Sequence, residues 1–512
     1  MPSFAAARSI SNPDQIALRD HLQEFNWSDI DRILNRIANG VLALDPTPVR
    51  RVAIFAQNSA ETLLAHLGGL IGGASTVPAS FHLTAPELAY ILEDSGSTVL
   101  FVGPETARTG LEAARLARIP LVIGWRCQPA EGVVHWNDWL DRASTQPPPL
   151  DHAPRANFMY TSGTTGRPKG TELPPTMFAG GATVEEHLER LARAPFALFG
   201  THLVAGPLYH TGPLTGVRVL GGGKPVVVLP KFDAEAVLAA IDNYKVESSV
   251  LVPTHFIRLL ALPEDIRKKY NTRSLKFVFH TGSACPVDVK RGMLDWWGPV
   301  LYEAYGATEV GTTCAISPYD WLKHPGSVGK PVPPFSVLVT DDQGRELPPG
   351  TEGRLYFRDS TGRGIVYHND PAKSAAAHLA PGIFTLGEIG YVDSGGFVYI
   401  TDRFSDMVVS GGVNIYPAES ESVILRHPQV DDVACIGVPH PVMGEELKAI
   451  VVAADPGKPP PAQEIISFCK ANLAHYKCPK SVDFVADLGR TAAGKVNKKK
   501  LKAPYWPESR SP

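Results

Sequence analysis

The sequence predicts an α/β fold: a large N-terminal domain of layered α/β subdomains with an added β subdomain, followed by a small α+β C-terminal domain. Three observations predict it. Short β-branched or apolar runs alternate with helix-length segments, which is typical of layered α/β proteins. From Phe335 the pattern changes to strands and tight turns. After Arg403 a new α+β pattern begins and ends in a Lys-rich tail.

The alternating part contains five predicted strands and three predicted helices. The strands are apolar runs bounded by turn residues: Arg51–Ala56, Thr98–Val102, Pro225–Leu229, Ser248–Val252 and Leu275–His280. The helices begin near Pro or Asp: Pro86–Asp94, Ala234–Tyr244 and Pro286–Trp296. The apolar run Leu63–Phe81 is interrupted by glycines and polar residues, so it predicts a buried helix followed by a buried strand rather than a membrane span.

Turn residues define the second half of the chain. Hairpin turns are predicted at Asp341–Arg345, Pro348–Gly350 and Asp393–Phe397. Beyond them, strands are predicted at Val433–Val438 and Lys448–Ala453, with a helix at Ala462–Leu473. The change of pattern near Thr401–Ser405 predicts an N-terminal domain of residues 1–402 and a C-terminal domain of residues 403–512.

The composition of the 512 residues describes an ordinary soluble enzyme, with 44% hydrophobic residues, 20% charged residues and a net charge of −3. The sequence lacks the excess of positive charge that is typical of nucleic-acid-binding proteins, so we expect no nucleic-acid partner. The interrupted apolar run described above also leads us to expect no integral-membrane segment. The six cysteines include no C-x-x-C pair and the N-terminus has no secretory pattern, which together predict reduced thiols and a cytoplasmic location. The sequence does not indicate an oligomeric state.

The stretch Y-T-S-G-T-T-G-R-P-K-G, from Tyr160 to Gly170, predicts a phosphate-binding loop. Its glycines permit close backbone approach and positive φ, its hydroxyl residues donate hydrogen bonds, and Lys169 adds a positive charge. The spacing differs from G-x-x-x-x-G-K-[ST], because proline stands at 168 where that motif needs glycine. The predicted ligand is a nucleotide polyphosphate, bound by a loop that differs from the P-loop of ordinary NTPases.

Four further segments meet the needs of a nucleotide-activating site. In Tyr305–Glu309 an aromatic ring can stack on a base, Gly306 permits close approach, Thr308 can bond a phosphate and Glu309 can hold Mg²⁺. Thr281–Pro286 follows a predicted strand and can border an adenine or close an acyl pocket. Asp402–Glu419 joins Arg403, a candidate ribose contact, to a Gly411-Gly412 turn. Gly489–Lys495 places a lysine on a glycine-containing loop near the C-terminus.

With these five segments in order, nearly the whole chain resembles the acyl-adenylate-forming superfamily, which includes acyl-CoA synthetases, luciferases and peptide-synthetase adenylation domains. The stretches P-L-Y-H at Pro207–His210, H-P-G-S-V-G at His324–Gly329 and Y-H-N-D-P at Tyr367–Pro371 are most similar to the bacterial acyl-CoA synthetases. The resemblance implies an AMP-forming ligase that uses ATP, Mg²⁺ and CoA to convert a carboxylic acid first into an acyl-AMP and then into a thioester.

The resemblance also implies the role of each matching residue. Lys495 corresponds to the catalytic lysine, with Thr308, Glu309 and His210 beside it in the reaction centre and Glu309 as the metal ligand. The small C-terminal domain is expected to be mobile about a hinge at Ser405, and Gly411 and Gly412 to border the CoA tunnel. The implied ATP contacts are Thr161, Ser162, Gly163, Thr164, Thr165, Gly166, Lys169, Gly282, Ser283, Ala284, Tyr305, Gly306, Glu388 and Arg403. The implied acyl contacts are His210, Phe256, Thr281, Gly282, Ala304 and Gly306.

Two positions depart from the family pattern. The usual T-G-D is L-G-E here, so that the ribose-binding carboxylate is Glu388, one methylene longer. The hinge position, commonly Asp or Lys, is Ser405. Since no fixed cation is evident among the implied acyl contacts, we expect an apolar monocarboxylate, either aryl or of medium chain length. Two alternatives stay open: an adenylate-forming amide ligase with an amine or amino-acid acceptor, and a nucleotide-binding regulator without catalysis.

Overall fold

The three-dimensional structure is a computed structural model. It describes residues 4–44, 50–128, 130–161, 168–403, 406–410, 413–415, 417–440, 443–473, 475–491, 494 and 496–506, with only the backbone given for Phe4, Asp402, Arg403, Val409, Val413 and Asn414. Within these ranges no helix has the length and apolar character needed to cross a bilayer. All six cysteines are free, and every one except Cys285 is buried.

The helices in the described part of the chain are α1 Phe4–Ser11, α2 Trp27–Leu42, α3 Ala60–Ile71, α4 Ala85–Ser95, α5 Ala107–Leu116, α6 Trp136–Asp141, α7 Val184–Ala192, α8 Thr215–Gly221, α9 Ala234–Tyr244, α10 Pro253–Leu260, α11 Glu264–Lys269, α12 Val287–Trp297, α13 Pro318–Lys323, α14 Pro371–Ala376, α15 Pro417–Ile424, α16 Ala462–Asn472 and α17 Lys498–Lys502. Short 3₁₀ turns occur at Pro195–Leu198, His475–Lys477 and Ala503–Tyr505.

The strands are β1 Ile16–Arg19, β2 Glu24–Asn26, β3 Arg51–Phe55, β4 Ser75–Ala79, β5 Val99–Val102, β6 Leu121–Gly124, β7 Val134–His135, β8 Phe158–Thr161, β9 Lys169–Glu172, β10 His202–Val204, β11 Val226–Val228, β12 Ser248–Leu251, β13 Phe277–His280, β14 Leu301–Ala307, β15 Gly311–Ile316, β16 Lys330–Pro331, β17 Phe335–Thr340, β18 Gly353–Asp359, β19 His378–Ala380, β20 Ile383–Phe384, β21 Glu388–Val392, β22 Val398–Arg403, β23 Val408–Ser410, β24 Val413–Ile415, β25 Val430–His440, β26 Gly444–Ala453 and β27 Ser481–Phe484.

The predicted α/β class is confirmed. Each of the five strands and three helices predicted in the alternating part is present, with ends that agree to within two residues. The run Leu63–Phe81 is the second part of α3 followed by β4, and every residue of both elements is buried. The predicted turn Asp393–Phe397 joins β21 to β22, whereas Asp341–Arg345 and Pro348–Gly350 both lie in the connection between β17 and β18.

The chain divides into two compact units. The first contains Met1–Thr281, Val289–Thr312 and Ile365–Ser374, and the second contains Gly282–Asp288, Thr313–Gly364 and Ala375–Pro512. The predicted boundary between residues 402 and 403 falls inside the second unit and stays a prediction.

Parallel sheets organise the first unit. One has the strand order β4-β3-β5-β6-β7, and another runs β14-β13-β12-β10-β11-β1-β2, in which the strands from β13 to β1 pair in parallel. The wholly buried α3 contacts α2, β4 and α8. Gly68 allows the α2–α3 approach, because a Cβ there would lie 2.5 Å from Ile37 Cγ2. Since strands in a parallel sheet end at the same edge, the loops after β12, β13 and β14 come together.

Antiparallel sheets organise the second unit. The first pairs β19-β20-β18-β21-β22, with β17 also joined to β18. The second pairs β24-β23-β26-β25, with β27 parallel to β26. A separate apolar cluster, which includes Ile424, Cys435, Val451 and Ile465, lies between the second sheet and the helices α15 and α16. This cluster is the core of the α+β segment predicted after Arg403.

A buried ion pair connects α12 to β14 in the first unit. Lys290 Nζ lies 2.5 Å from Glu303 Oε2, and the lysine side chain has no exposed surface. The same carboxylate oxygen is 3.5 Å from Nε2 of the fully buried His280. Burial lowers the pKa of His280 well below its usual value, with the Lys290 charge acting in the same direction, so the imidazole is neutral. Lys290 and Glu303 therefore compensate each other's charge in the interior of the first unit.

We predict that Lys290→Met lowers the free energy of unfolding by about 3–5 kcal/mol, because it leaves Glu303 buried without a counter-charge. The double variant with Glu303→Leu should recover most of that loss. The measurement is urea denaturation followed by tryptophan fluorescence. Lys276→Met, which removes the partly exposed pair with Glu247, is the control and should cost less than about 1 kcal/mol. A small effect of the single variant, equal to the control, would contradict the prediction.

Candidate active site

The predicted phosphate loop connects the two strands of a hairpin. Strands β8 and β9 are antiparallel, and Thr161 faces Lys169 across the pair at the point where the loop leaves the hairpin. Ser162, Gly163, Thr164, Thr165 and Gly166 lie outside the described residues. The two ends of the motif are therefore placed side by side, with a hydroxyl on one strand and an ammonium group on the other.

A buried carboxylate lies against the first of these ends. Thr161 Oγ1 donates to Glu309 Oε1 at 3.1 Å, and Glu309 is only 8% exposed. Tyr367 also hydrogen-bonds to Glu309, and its pKa is raised by burial and then by the negative charge of that carboxylate. The hydroxyls of Thr161 and Tyr367 can both donate a hydrogen bond to the Glu309 carboxylate. The contact joins three distant parts of the chain.

The turn that carries Glu309 depends on two glycines. Gly306 stands in β14 where a Cβ would come 1.9 Å from the Gly311 carbonyl oxygen, so no other residue fits. Gly311 has φ of +83°, and Thr176 Oγ1 donates to the Val310 carbonyl at 2.7 Å. Tyr305 and Thr308, on either side of Gly306, are half-buried. The close turn therefore explains the glycines at 306 and 311.

The loop lysine has a carboxylate partner that sequence reasoning did not identify. Lys169 Nζ lies 2.6 Å from Asp370 Oδ2. The hydrogen bond to Asp370 raises the pKa of Lys169, and the same bond lowers the pKa of Asp370. Asp370 and Tyr367 both belong to the Y-H-N-D-P stretch, which served above only to narrow the family. The signal available in the sequence was the pair of polar residues Tyr367 and Asp370, three positions apart in a segment rich in turn residues.

The implied acyl contacts of the first unit fall into a half-buried group and a buried one. His210 and Thr281 are half-buried, and a Cβ at Gly212 would lie 4.0 Å from Thr281 Cγ2, so the segment after His210 passes beside the end of β13. Ala304 is 6% exposed in the neighbouring strand β14. Phe256 has no exposed surface and packs on His280 at a ring distance of 5.3 Å. The role of Phe256 as an acyl contact stays a prediction.

The second unit contains the other described candidates. Gly282, with φ of +99°, begins an exposed turn that continues through Ser283 and Ala284. Glu388 is 7% exposed and faces Arg403 in the register of β21 and β22, so the two implied ribose contacts lie on adjacent strands. The side chain of Arg403 and all of Ser405, Gly411, Gly412 and Lys495 lie outside the described residues.

Comparison with known proteins agrees with these motifs. The family model described as "AMP-binding enzyme" matches residues 6–364, and the "AMP-binding enzyme C-terminal domain" model matches residues 419–495. A feruloyl-CoA synthase of an Amycolatopsis species is 33% identical over 506 residues, covering 97% of each chain. An indoleacetate–CoA ligase of Aromatoleum aromaticum is 31% identical over 95% of this chain and 94% of its own.

Among solved structures, the o-succinylbenzoate CoA synthetase of Bacillus subtilis, in complex with its acyl-adenylate intermediate, superposes with a TM-score of 0.79. The two sequences are 26% identical, and the match covers 98% of each chain. The large-domain model alone spans more than half of this protein. The chain therefore belongs to the AMP-binding enzyme family, and its resemblance to the AMP-forming acyl-CoA synthetases of the acyl-adenylate-forming superfamily is confirmed.

Proposed function

We propose that this protein is a carboxylate–CoA ligase that activates an aryl or medium-chain acid as its acyl-AMP and transfers the acyl group to CoA. One observation carries the proposal: a buried carboxylate, Glu309, is held by Thr161 at the mouth of the phosphate loop, next to Lys169. Two of the relatives, the feruloyl-CoA synthase and the indoleacetate–CoA ligase, are named for aromatic acids, which supports the aryl class.

The residues of the site fit a magnesium ion. Magnesium prefers oxygen ligands and in nucleotide enzymes takes one or two carboxylates together with substrate phosphates and water. Glu309 supplies one such carboxylate, and the described residues contain no cluster of three or more His, Cys, Asp or Glu that could enclose an ion. When bound, Mg²⁺ would neutralise charge on the phosphates of ATP. Glu309 is the residue we propose to hold it.

In the first half-reaction an oxygen of the acid attacks the α-phosphorus of ATP, and the bond to pyrophosphate breaks. The reaction joins two anions, so positive charge and hydrogen-bond donors around the phosphates determine its rate. Thr161 offers a hydroxyl and Lys169 an ammonium group. To reach a phosphate, Lys169 exchanges its bond with Asp370 for one with the nucleotide. Asp370 therefore holds the lysine near the loop until ATP enters.

In the second half-reaction the CoA thiolate attacks the acyl carbonyl, and AMP leaves with the electrons of the carbon–oxygen bond. We propose that residues 403–512 rotate about Ser405 between the two steps, removing Lys495 from the nucleotide and bringing Gly411 and Gly412 to the pantetheine path. Glu388 and Arg403 would hold the ribose in both steps. A separate C-terminal family model matches residues 419–495, which supports the proposal that this part of the chain is a distinct domain able to rotate.

The direct test is a panel of aryl and medium-chain acids with ATP and Mg²⁺, scored for pyrophosphate and AMP release. We expect AMP release that depends on CoA, with an acyl-CoA as product. AMP release that depends on an amine or amino acid instead would favour the amide ligase. A complete absence of acid-dependent pyrophosphate release would favour a regulator that binds nucleotide without catalysis.

We predict that Glu309→Gln reduces acid-dependent pyrophosphate release by about 10²–10³-fold, because the amide still accepts the Thr161 hydrogen bond but carries no charge for Mg²⁺. The measurement is pyrophosphate release across a magnesium titration. Glu172→Gln alters an exposed carboxylate of the same hairpin and should leave the titration unchanged. Full activity of Glu309→Gln at ordinary magnesium would exclude the proposed role.

We predict that Lys495→Ala loses adenylation by about 10²–10³-fold while retaining thioester formation from pre-made acyl-AMP, because the lysine acts only on the charge that develops at phosphorus. The two half-reactions are measured separately with purified acyl-AMP. Lys500→Ala, on the exposed helix α17 nearby, is the matched control. An equal loss in both half-reactions would contradict a mechanism with two arrangements of the small domain.

A further inference from the structure

The segment that carries Lys495 is anchored to the sheet of β25 and β26 at both of its ends. Leu488 belongs to an apolar cluster with Ile436 of β25 and is only 4% exposed. Val496, the residue directly after Lys495, packs against the same cluster. Lys495 itself lies outside the described residues. The chain at residues 489–495 is therefore a short loop between two fixed points.

One guanidinium group joins this loop to the first part of β25. Arg490 Nε lies 2.5 Å from Asp432 Oδ2, and Arg490 Nη2 lies 2.7 Å from Asp432 Oδ1, so the ion pair is bidentate. Nη1 of the same arginine donates to the Gly494 carbonyl at 2.7 Å, and Nη2 donates to the Val433 carbonyl at 3.4 Å. Arg490 thus connects the beginning of the loop, its end and the neighbouring strand.

The carboxylate and the carbonyl that Arg490 contacts are themselves held in place. Asp432 Oδ1 accepts from the Val433 amide at 2.8 Å. Gly494 is buried, has φ of +76°, and donates from its amide to the Thr491 carbonyl at 2.8 Å, which closes a tight turn. The arginine therefore bonds to acceptors whose positions are already restricted.

The Gly494 carbonyl is important because of the peptide bond to which it belongs. A peptide unit is planar, and the unit that contains this carbonyl is the one that links Gly494 to Lys495. A hydrogen bond from Arg490 to the carbonyl oxygen restrains the orientation of that plane. It therefore restrains the direction in which the chain enters Lys495.

Arg490 has little capacity left to bind a ligand of its own. Its four hydrogen bonds involve all three guanidinium nitrogens, which together carry five N–H donors. Asp432 compensates the positive charge, and the hydrogen bonds to Asp432 raise the pKa of Arg490. This arrangement is typical of a residue that supports its own loop rather than of one that receives a phosphate.

The ion pair is partly exposed, so it contributes little to the stability of the fold. The side chains of Arg490 and Asp432 are 33% and 22% exposed, and pairs in such positions typically contribute about 0–1 kcal/mol to the free energy of unfolding. Leu488 and Val496 also fasten the segment to the sheet without the pair. An effect of Arg490 on the reaction can therefore be separated from an effect on folding.

We propose that Arg490, held by Asp432, is a positioning residue that keeps the loop of Lys495 in the form needed for adenylation. The inference rests on the proposed role of Lys495 and goes beyond it, because it names the groups that fix the backbone from which the lysine extends. Accurate placement matters, since a displacement of about 1 Å in a catalytic group can reduce the rate about 10²-fold. Arg490 does not contact the reacting atoms in this mechanism and acts through Lys495.

The test measures the two half-reactions of Arg490→Met separately, with the best acid of the panel described above. We expect kcat for acid-dependent pyrophosphate release to fall about 10- to 100-fold with an unchanged KM for ATP, because the lysine is displaced while ATP still binds. Thioester formation from purified acyl-AMP should stay near the wild-type rate, since Lys495 does not act in that step. Arg490→Lys should recover part of the loss, because an ammonium group can still donate to the Gly494 carbonyl.

A double variant determines whether Arg490 acts through Lys495. Once Lys495 is replaced by alanine, its positioning residue has nothing left to position. Arg490→Met combined with Lys495→Ala should therefore release pyrophosphate at the rate of Lys495→Ala alone. A general structural role of Arg490, or a direct contact with ATP, would lower the rate further.

Arg345→Met is the matched control. Arg345 forms an arginine–aspartate pair of the same kind in the second unit, with Nε 2.7 Å from Asp341 Oδ2, and its side chain is exposed. Its loss should leave both half-reactions unchanged. Should Arg490→Met fail to fold, Asp432→Asn provides the second test. The neutral amide holds Arg490 less firmly, so we again expect a loss confined to pyrophosphate release.

Full pyrophosphate release by Arg490→Met, or by Asp432→Asn where the first variant does not fold, would overturn the inference. An equal loss in both half-reactions, or a further loss in the double variant, would also overturn it. A raised KM for ATP would show that the guanidinium contacts the nucleotide instead. If the wild-type protein releases no pyrophosphate with any acid, the proposed function fails, and that result differs from an active enzyme that tolerates Arg490→Met.

Discussion

The contact among Thr161, Glu309 and Tyr367 is the interaction on which the rest of the site depends. It joins the hairpin of the phosphate loop, the turn after β14 and the segment of residues 365–374, which are far apart along the chain. A buried carboxylate is costly unless hydroxyls or cations satisfy it. The hydroxyls of Thr161 and Tyr367 bond to Glu309 and so offset the cost of removing its carboxylate from water. The same two hydrogen bonds hold the three segments together. The proposed magnesium ligand and the local structure therefore depend on the same hydrogen bonds.

The parallel sheet of the first unit explains why the candidate residues meet. Strands β12, β13 and β14 are neighbours that run the same way, so the residues following each one emerge at a single edge. Thr281 follows β13, and Ala304 through Glu309 occupy the end of β14 and its turn. Lys290 of α12 pairs with Glu303 of β14, and the same carboxylate oxygen lies 3.5 Å from the neutral, fully buried His280 at the end of β13. The charges buried beside these strands therefore compensate each other.

Sequence motifs predict the phosphate-binding residues of the site better than they predict the acyl-binding residues. Phosphate binding needs glycines, hydroxyls and a lysine within one short stretch, and such a stretch is visible in a linear sequence. An acyl pocket is assembled from side chains of several helices and strands, and no spacing rule identifies them. Phe256, an implied acyl contact, is fully buried and packs on His280, and neither fact follows from its place in the sequence.

The sequence by itself determined the α/β class, the strands and helices that were predicted, the family, and the two ends of the phosphate loop. These follow from periodicity and from motifs of adjacent residues, in which the physical requirement is local. Only the tertiary structure decided the Asp370 partner of Lys169, the burial of the Lys290–Glu303 pair, and the Asp432 partner of Arg490. Each of these depends on residues brought together from distant segments, and long-range charge compensation leaves no periodic pattern in a chain.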